Sequence, residues 1–321
     1  MNGYYVAVDI GATKIRSALF DISGRMLRKT VTSTPRENVD AVSHKIIETI
    51  NSLVSIGKEI RGIGIGSIGP LDMNRGIILV APNLNLRNIP IVKPVEEETG
   101  LPVVFVNDCV AAVIGEKTFG AGKNVDNLVY VTLSTGIGGG VYVDGHLLQG
   151  KDGNASEIGH FVVDNKRNLK CGCGGFGHWE AYCSGRNIPR FARVLIEEFG
   201  GDRFDKSYLM KSCEGDLNNL SPEMIYEGAR RSDPLCVEIL NEINDLNTRG
   251  FACTINAYDP ELISVGGAIA MNNPDLVFEP IIENLNRYAA NRIPEIVITP
   301  LGEDIVLYGA FASIREFDLK K

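Results

Sequence analysis

The sequence predicts an α/β fold made of two copies of a similar domain, with a cleft between the copies. Residues 5–21 and 128–145 share one pattern, an apolar strand, a glycine-containing polar turn and a second apolar strand, which is typical of a β-hairpin. Residues 61–70 and 261–270 are β-branched strands that run into glycines. Each of these follows a helix-like stretch, so the order hairpin, helix, strand and glycine turn occurs twice.

The composition excludes several classes of protein. The 321 residues are 44% hydrophobic, which suffices for one large domain or two of ordinary size. No run of about 18 apolar residues and no signal-peptide pattern is present, and seven cysteines, an odd number, argue against a disulfide framework. The net charge is −8, whereas nucleic-acid-binding proteins are normally basic. We therefore expect a cytoplasmic protein that binds a small molecule and neither nucleic acid nor a membrane.

Further elements follow from the local patterns. A short buried strand at Val103–Val106 runs into a helix that begins at Cys109. Gly200-Gly201 and Ser221-Pro222 mark turns within a helical region. The helix-like stretches are residues 39–58, 186–250, 233–257 and the tail from Leu307.

We expect two domains. The smaller one comprises residues 1–115 and is completed by a C-terminal helix at residues 308–321, and the larger one comprises residues 116–307. The repeat is weak evidence by itself, because a strand, a glycine and a second strand are common in any α/β protein.

The first hairpin has the residue types of a phosphate site. Gly11 lets the backbone approach a ligand closely, and a hairpin tip offers N–H groups to an anion. Asp9 is placed to hold Mg²⁺ near phosphates, and Lys14 or Arg16 can add positive charge. An ordinary hairpin turn explains one such motif equally well.

The second hairpin carries a stronger form of this signal. Residues 134–140 read STGIGGG, and glycines at this density cost stability in a strand. Close approach to a phosphate chain explains that cost. Two such loops facing each other would bind a nucleotide from both sides. The turn consists of Ser134, Thr135, Gly136, Gly138, Gly139 and Gly140 around one isoleucine.

Two polar pairs are candidates for catalysis and substrate binding. Asp108 ends a buried strand, where α/β sheets bind ligands, and can accept a proton from an attacking hydroxyl while Asn107 orients the substrate. Taken alone, Asn-Asp is more often a helix N-cap. Glu157 and His160 precede a hydrophobic stretch that we predict to be a strand, and they can bind the hydroxyls of a polyol. The alternative for this pair is a turn with a capping glutamate.

In this order, the motifs resemble those of the ROK family of repressors, open-reading-frame proteins and sugar kinases. The resemblance implies the actin/hexokinase-like ATPase fold, in which duplicated ribonuclease-H-like domains flank a central cleft. It also implies ATP and Mg²⁺ as cofactors and a homodimer or homotetramer. The resemblance covers residues 7 to about 270 in the stretches DIGATKIRSALFD, GIGIGSIGPLD, APNLNL, NDCVAAVIGE, LSTGIGGGVYVDG, EIGH, CGCGGFGHWE and DPELISVGGAI.

The resemblance also implies a role for individual residues. Asp108 is the base that deprotonates the 6-hydroxyl of a sugar for in-line attack on the γ-phosphoryl group of ATP. The sugar-binding positions are Gly69, Asn83, Asn107, Asp108, Glu157, His160 and Glu180. The nucleotide-binding positions that it implies are Gly11, Thr13, Thr135, Gly136, Gly266 and Gly267. To these we add three residues of the hairpins, namely Asp9, Lys14 and Gly138.

The chain departs from the family pattern at several positions. Ser134 and Ser156 stand where glycine is common, and we expect both substitutions to be harmless. Leu86 and Arg87 follow Asn83 where a tryptophan is usual, so the wall of the sugar pocket differs. This departure leaves the identity of the hexose open.

The element at residues 160–183 predicts a structural zinc ion. Family members bind zinc through the histidine of EIGH and three cysteines, and here His178 takes the place of the third cysteine. The implied ligands are therefore His160, Cys171, Cys173 and His178, a normal set for a closed zinc site. Cys183 is expected to be a bystander. The alternative is a tight glycine turn that binds no metal.

The expected function is phosphorylation of a hexose at its 6-hydroxyl by ATP, with glucose as the first candidate. N-acetylmannosamine and N-acetylglucosamine are the alternatives, and the space around C2 of the sugar decides between them. A sugar-responsive repressor would need an N-terminal DNA-binding module, for which a hairpin that begins at about Tyr4 leaves no room. A non-catalytic sensor or filament protein is disfavoured by Asp108 together with both glycine loops.

Overall fold

The structure is a computed structural model that describes residues 3–54, 59–81 and 84–320. It has the α/β architecture that the sequence predicts. Within these ranges, none of the helices combines the length and the apolar character that crossing a membrane requires.

The elements alternate along the chain. The strands are β1 (Tyr4–Ile10), β2 (Lys14–Asp21), β3 (Met26–Ser33), β4 (Ile60–Ser67), β5 (Leu71–Asp72), β6 (Ile77–Ala81), β7 (Leu86–Pro90), β8 (Val103–Asn107), β9 (Leu128–Leu133), β10 (Ile137–Val143), β11 (His146–Leu147), β12 (Leu262–Gly266) and β13 (Glu295–Ile298). The helices are α1 (Val39–Leu53), α2 (Val92–Thr99), α3 (Asp108–Thr118), α4 (Glu180–Cys183), α5 (Ile188–Phe199), α6 (Gly201–Asp205), α7 (Tyr208–Ser212), α8 (Pro222–Arg230), α9 (Pro234–Tyr258), α10 (Ala268–Asn272), α11 (Glu279–Asn284) and α12 (Ile305–Leu319).

Two five-stranded sheets repeat one strand order. The first sheet has the order β3-β2-β1-β4-β8, and the second has the order β11-β10-β9-β12-β13. In the first sheet β1 pairs with β2 antiparallel and with β4 parallel. Counting from the first strand of each hairpin, both sheets read 3-2-1-4-5. The duplication predicted from the sequence is therefore confirmed in the strand order.

Strand β1 is apolar throughout because both of its faces are covered. Val6, Val8 and Ile10 belong to one buried cluster that includes residues of α1, whereas Tyr5 and Ala7 belong to another that includes residues of α12. Successive side chains of a strand point to opposite faces, so β1 separates two layers of helices. The C-terminal helix α12 thus packs on the sheet formed by the N-terminal strands.

Helix α3 begins directly at the end of β8. Asn107 caps it, since its Oδ1 accepts from the N–H groups of Cys109 at 2.8 Å and Val110 at 3.3 Å. The helix then packs closely on α12: a Cβ atom on Gly309 would lie 1.6 Å from the carbonyl oxygen of Ala111. This close approach fixes the start of α3 relative to the first sheet.

The chain divides into two compact units. Unit 1 comprises residues 1–130, 140–156 and 299–321, and unit 2 comprises residues 131–139 and 157–298. The domain limits 1–115 and 116–307 stay predictions. The last residue of the predicted closing helix, Lys321, lies outside the described residues.

The long helix α9 organises unit 2. The side chain of Trp179 is fully buried against it: the indole Nε1 donates to Asn247 Oδ1 at 2.8 Å, and a Cβ atom on Gly250 would lie 2.2 Å from the ring. Glycine at this position lets the ring approach the helix. His178 and Glu180 flank Trp179 in the chain, so the buried indole holds both of them in place.

One predicted strand is wrong, and one sheet was not predicted. The stretch after His160 forms a single bridge between Val162 and His178 rather than a strand, and Val162 is 61% exposed. Its three apolar residues are too few to decide between a strand and a loop.

The sheet β5-β6-β7 was not predicted from the sequence, because its strands are short and separated by turns.

Candidate active site and metal centre

Asp9 is a buried carboxylate at the end of β1, with 6% of its surface exposed. Burial raises the pKa of Asp9 from its ordinary 3.8 to about 6, and the neighbouring guanidinium of Arg16 opposes this rise. Because the pKa is raised on folding, Asp9 favours the folded state while neutral, and this contribution is lost as the pH rises through about 6.

The tip between β1 and β2 is fixed from outside the hairpin. Thr34 donates its Oγ1–H to the carbonyl oxygen of Gly11 at 2.8 Å, and its N–H to that of Thr13 at 3.0 Å. The side chains of Thr13 and Lys14 are exposed. The tip therefore presents a hydroxyl and an ammonium group on a rigid backbone.

Asn107 of the Asn-Asp pair lies beside the turn that contains Gly69. A Cβ atom on Gly69 would lie 3.1 Å from Asn107 Nδ2, so the amide nitrogen points toward that glycine. Asp108 Oδ1 accepts from the N–H of Cys109 at 2.8 Å. Asn107 thus acts as the helix cap and also directs an amide donor, which means that the two interpretations of this pair do not exclude each other.

A further contact lies close to Gly69, and the sequence did not predict it. Asn154 forms two hydrogen bonds with the backbone of Leu71, one accepted from its N–H and one donated to its carbonyl oxygen, both at 3.4 Å. A Cβ atom on Gly153 would lie 2.1 Å from the sulfur of Met73. The loop before EIGH is therefore fastened to the stretch that follows Gly69. The partners are 83 positions apart, and no local pattern announces them.

Ser156 carries two unfavourable features. Its φ of 65° lies in the left-handed region that favours glycine, and its Oγ is buried without a hydrogen-bond partner among the described residues. Left-handed backbone costs a non-glycine residue about 1–2 kcal/mol, and an unsatisfied buried hydroxyl costs about 1–3 kcal/mol. The substitution of serine for glycine is thus unfavourable for stability.

We expect Ser156→Gly to raise the free energy of unfolding by about 1 kcal/mol, since the greater unfolded-state freedom of glycine offsets part of the gain. Ser156→Ala removes only the hydroxyl and should give a similar gain. Ser232→Gly is the matched control, because Ser232 has a φ of 58° but is exposed. Urea unfolding measures all three. Equal stability of wild type, Ser156→Gly and Ser156→Ala would contradict the expectation.

The glycine-rich loop of unit 2 is shaped by a carboxylate. Glu180 Oε2 accepts from the N–H of Ile137 at 2.9 Å, and a Cβ atom on Gly136 would lie 2.7 Å from the same oxygen. Gly140 belongs to unit 1, and a Cβ atom there would lie 2.3 Å from the carbonyl oxygen of Cys109 in the same unit. Packing against a backbone carbonyl therefore explains Gly140, whereas the atom close to Gly136 is the end of a carboxylate side chain.

Two backbone segments pack against this loop. A Cβ atom on Gly267, whose φ is 90°, would lie 2.2 Å from the carbonyl oxygen of Leu133. The N–H of Gly185 donates to Ser134 at 2.8 Å, and that of Arg186 to Thr135 at 3.3 Å. Within unit 2, Gly267 therefore lies beside Leu133, and the 185–186 backbone lies beside Ser134 and Thr135. No local sequence pattern predicted these backbone contacts of Gly185 and Arg186.

His160, Cys171, Cys173 and His178 converge in unit 2, and their ligand atoms all lie within 4.8 Å of one another. Cys171 Sγ lies 3.8 Å from His160 Nδ1, and Cys173 Sγ lies 3.3 Å from His178 Nδ1. Tetrahedral zinc with bonds of about 2.0–2.3 Å holds neighbouring ligand atoms about 3.5 Å apart. These residues fit a zinc ion in chemistry and in spacing.

Burial changes the acid–base properties of two residues of this cluster. Burial raises the pKa of the Cys171 thiol to about 11, so a divalent cation is needed to hold it as a thiolate. Burial likewise lowers the pKa of His178, which favours the neutral ligating form. Cys183 is separate from this group, because it is buried and its Sγ donates to the carbonyl oxygen of Ile243 at 3.4 Å.

His160 has its two ring nitrogens in different environments. Nδ1 faces Cys171, whereas Nε2 lies 3.7 Å from Glu157 Oε2. Burial raises the pKa of Glu157, and His160 opposes the rise. Glu157 stands at the start of the turn Ile158–His160 and makes no side-chain capping bond there. The interpretation as a capping glutamate is therefore not supported.

The predicted site residues are distributed over both units. Unit 1 contains Asp9, Gly11, Thr13, Lys14, Gly69, Asn107 and Asp108. Unit 2 contains Thr135, Gly136, Gly138, Glu157, His160, Cys171, Cys173, His178, Glu180, Gly266 and Gly267. Asn83 lies outside the described residues.

This strand order and these loops define an α/β protein of the actin/hexokinase-like class. The sequence pattern of the ROK family matches residues 5–316, and the chain belongs to that family.

Several known proteins are similar to it. A glucokinase of Pyrobaculum calidifontis is 40% identical over 308 residues, which are 96% of this chain and 94% of that protein. The crystal structure of a ROK family glucokinase from Streptomyces griseus, in complex with glucose and AMPPNP, is 33% identical with a TM-score of 0.78 and covers 97% of this chain and 99% of its own. A ROK hexokinase from Thermus thermophilus is 30% identical with a TM-score of 0.81, and 99% of each chain is covered.

Proposed function

We propose that this chain is a glucokinase that transfers the γ-phosphoryl group of ATP to the 6-hydroxyl of glucose. The observation that carries the proposal is the carboxylate of Asp108, set at the start of α3 next to Asn107, whose amide nitrogen lies close to Gly69. Relatives called glucokinase, similar over nearly the whole chain, support the choice of glucose.

In unit 1, Asp108 accepts the proton of the sugar hydroxyl as that oxygen attacks phosphorus. Its Oδ1 is held by the N–H of Cys109, which limits rotation of the carboxylate. Asn107 donates from Nδ2 to a sugar hydroxyl, and Gly69 leaves room for the sugar beside that amide.

Phosphate binding is assigned to the glycine hairpins. In unit 1, Gly11, Thr13 and Lys14 bind phosphate oxygens, and Asp9 holds Mg²⁺ directly or through water, as a hard cation prefers carboxylate oxygens. When bound, Mg²⁺ neutralises charge on the β- and γ-phosphates. In unit 2, Thr135, Gly136 and Gly138 bind phosphate, and Gly266 and Gly267 lie near the adenosine.

The remaining assignments concern unit 2. Glu157, His160 and Glu180 are proposed sugar ligands, with the position of Glu180 set by the N–H of Ile137. A structural zinc ion would be held by His160, Cys171, Cys173 and His178 and would fix the ring of His160, leaving Nε2 for hydrogen bonding.

We also propose that the protein is cytoplasmic and forms a homodimer or homotetramer. Light scattering of the purified protein tests the oligomeric state.

A panel of sugars with ATP tests the function. Purified protein is assayed with glucose, mannose, N-acetylglucosamine and N-acetylmannosamine, and we expect the highest kcat/KM with glucose. A higher value with either N-acetylhexosamine would replace glucose as the substrate and keep the reaction. No turnover with any of the four would refute the proposed function.

A further inference from the structure

Arg16 binds two carboxylates that are far apart in the sequence. The register of β1 and β2 sets Arg16 directly opposite Asp9. Its Nη1 donates to Asp9 Oδ2 at 3.0 Å, and its Nη2 donates to Glu303 Oε2 at 3.2 Å. The guanidinium therefore connects the first phosphate hairpin to the turn that precedes α12.

Glu303 is itself held by a second cation. Lys29, on the neighbouring strand β3, donates from Nζ to both oxygens of Asp304 at 2.8 and 3.0 Å and lies 3.7 Å from Glu303 Oε1. Strands β2 and β3 thus both bind the turn Gly302–Asp304. Helix α12, which follows the turn, is anchored in the core of the sheet, so Glu303 has a fixed backbone.

Stability alone explains this arrangement poorly. The side chain of Glu303 is 68% exposed, and exposed ion pairs contribute only about 0–1 kcal/mol to folding. Orientation explains it better. A guanidinium is a rigid planar group, and anchoring it through both Nη atoms fixes its plane. The carboxylate of Asp9, bound to one of these atoms, is fixed in turn.

We propose that Arg16 and Glu303 are positioning residues for Mg²⁺ bound with the nucleotide: Glu303 fixes Arg16, and Arg16 fixes the carboxylate of Asp9 that holds the metal. This inference rests on the proposed function. Arg16 does not itself bind phosphate, because two carboxylates already neutralise its charge. Lys14, exposed at the hairpin tip, supplies the positive charge instead.

The test compares nucleotide binding with and without the metal. Isothermal titration calorimetry measures the Kd of AMPPNP in Mg²⁺ and in EDTA, and the Kd of glucose, for the full chain. For Arg16→Met we expect the Kd of Mg·AMPPNP to rise about 10–100-fold, as for other groups that orient a metal ligand. The Kd values of metal-free AMPPNP and of glucose should stay unchanged. Arg16→Lys should restore part of the loss.

Glu303→Gln is the second variant, chosen because an exposed position tolerates it. Glu303→Gln should also raise the Kd of Mg·AMPPNP, by a smaller factor than Arg16→Met does. Arg25→Met is the matched control: Arg25 pairs with Asp21 at 3.1 Å close to the same hairpin, but on the surface, and its loss should change no Kd.

The outcomes separate this inference from the proposed function. Wild-type Kd values for Mg·AMPPNP in Arg16→Met and Glu303→Gln would overturn it, as would an equal weakening with and without Mg²⁺. If Arg16→Met fails to fold, Glu303→Gln decides. A wild-type chain that binds AMPPNP but phosphorylates no sugar would refute the kinase proposal and leave the positioning result standing.

Discussion

Replacing Asp108 by asparagine is expected to lower kcat for glucose by about 10²–10⁴-fold, the usual contribution of a general base. An amide cannot take the proton of the sugar hydroxyl. The carbonyl oxygen of asparagine can still accept from the N–H of Cys109, as Asp108 Oδ1 does at 2.8 Å, so the start of α3 should be preserved. The Kd of glucose should change by no more than about threefold, which separates loss of catalysis from loss of binding.

Asp40→Asn is the matched control for this variant. Asp40 also lies in the first turn of a helix, α1, and is exposed. Both variants remove a carboxylate from a helix N-terminus, which costs about 0.3–1 kcal/mol of stability. Only Asp108→Asn should affect turnover. Initial rates with saturating ATP and glucose measure the difference, and a kcat of Asp108→Asn within about twofold of wild type would exclude Asp108 as the base.

Local sequence patterns predicted the elements well, because each depends on nearby residues. The hairpin of β1 and β2 follows from alternating apolar residues around a glycine turn. The start of α3 follows from Asn107, which caps the helix as expected for that residue type. The convergence of the Cys/His residues was implied by the family resemblance, since their spacing alone left a simple turn open.

The contacts that orient the site residues could not be predicted in this way. Arg16 and Glu303 are 287 positions apart, and Ile137 and Glu180 are 43 apart. Nothing near Gly136 in the sequence indicates that a distant carboxylate lies beside it. The sequence suggested only phosphate as the neighbour of Gly136, and the structure adds the carboxylate of Glu180. Tertiary partners of this kind become visible only in the fold.

The strand predicted after His160 failed for a related reason. The apolar residues there were taken as part of a sheet, yet Val162 is exposed and makes one bridge to His178. The conformation of this segment is set by its neighbours in the Cys/His element. Side-chain ligands and isolated bridges fix the backbone of such an element, and hydrophobic periodicity does not report on either.

Disrupting the Cys/His cluster is the second change from which we expect a large effect, here on zinc content and thermal stability. Protein purified without added zinc should contain about one zinc ion per chain, and Cys171→Ser should contain almost none. Binding of a structural zinc ion contributes directly to folding free energy. Cys171→Ser and wild type treated with a strong chelator should therefore both show a markedly lower Tm. Elemental analysis and thermal unfolding measure these two quantities.

Two further variants test the identity of the ligands. His178→Cys should keep the zinc ion, since it restores three thiolates and one imidazole. Cys183→Ala should also keep it, because the buried Cys183 Sγ bonds to the carbonyl oxygen of Ile243 and is not part of the group. Loss of zinc in Cys183→Ala but not in His178→Ala would assign the fourth ligand to Cys183.

If the chain binds no zinc ion, the same measurements should give different results. Cys171 Sγ and His160 Nδ1, 3.8 Å apart, would then form only a weak hydrogen bond. Wild-type protein would contain no stoichiometric metal, and chelation would leave its Tm unchanged. Cys171→Ser would lose little stability, since a serine hydroxyl can replace the thiol in a hydrogen bond but cannot serve as a thiolate ligand. A wild-type protein with this behaviour and full glucose turnover would show that packing around Trp179 alone holds His160 in place.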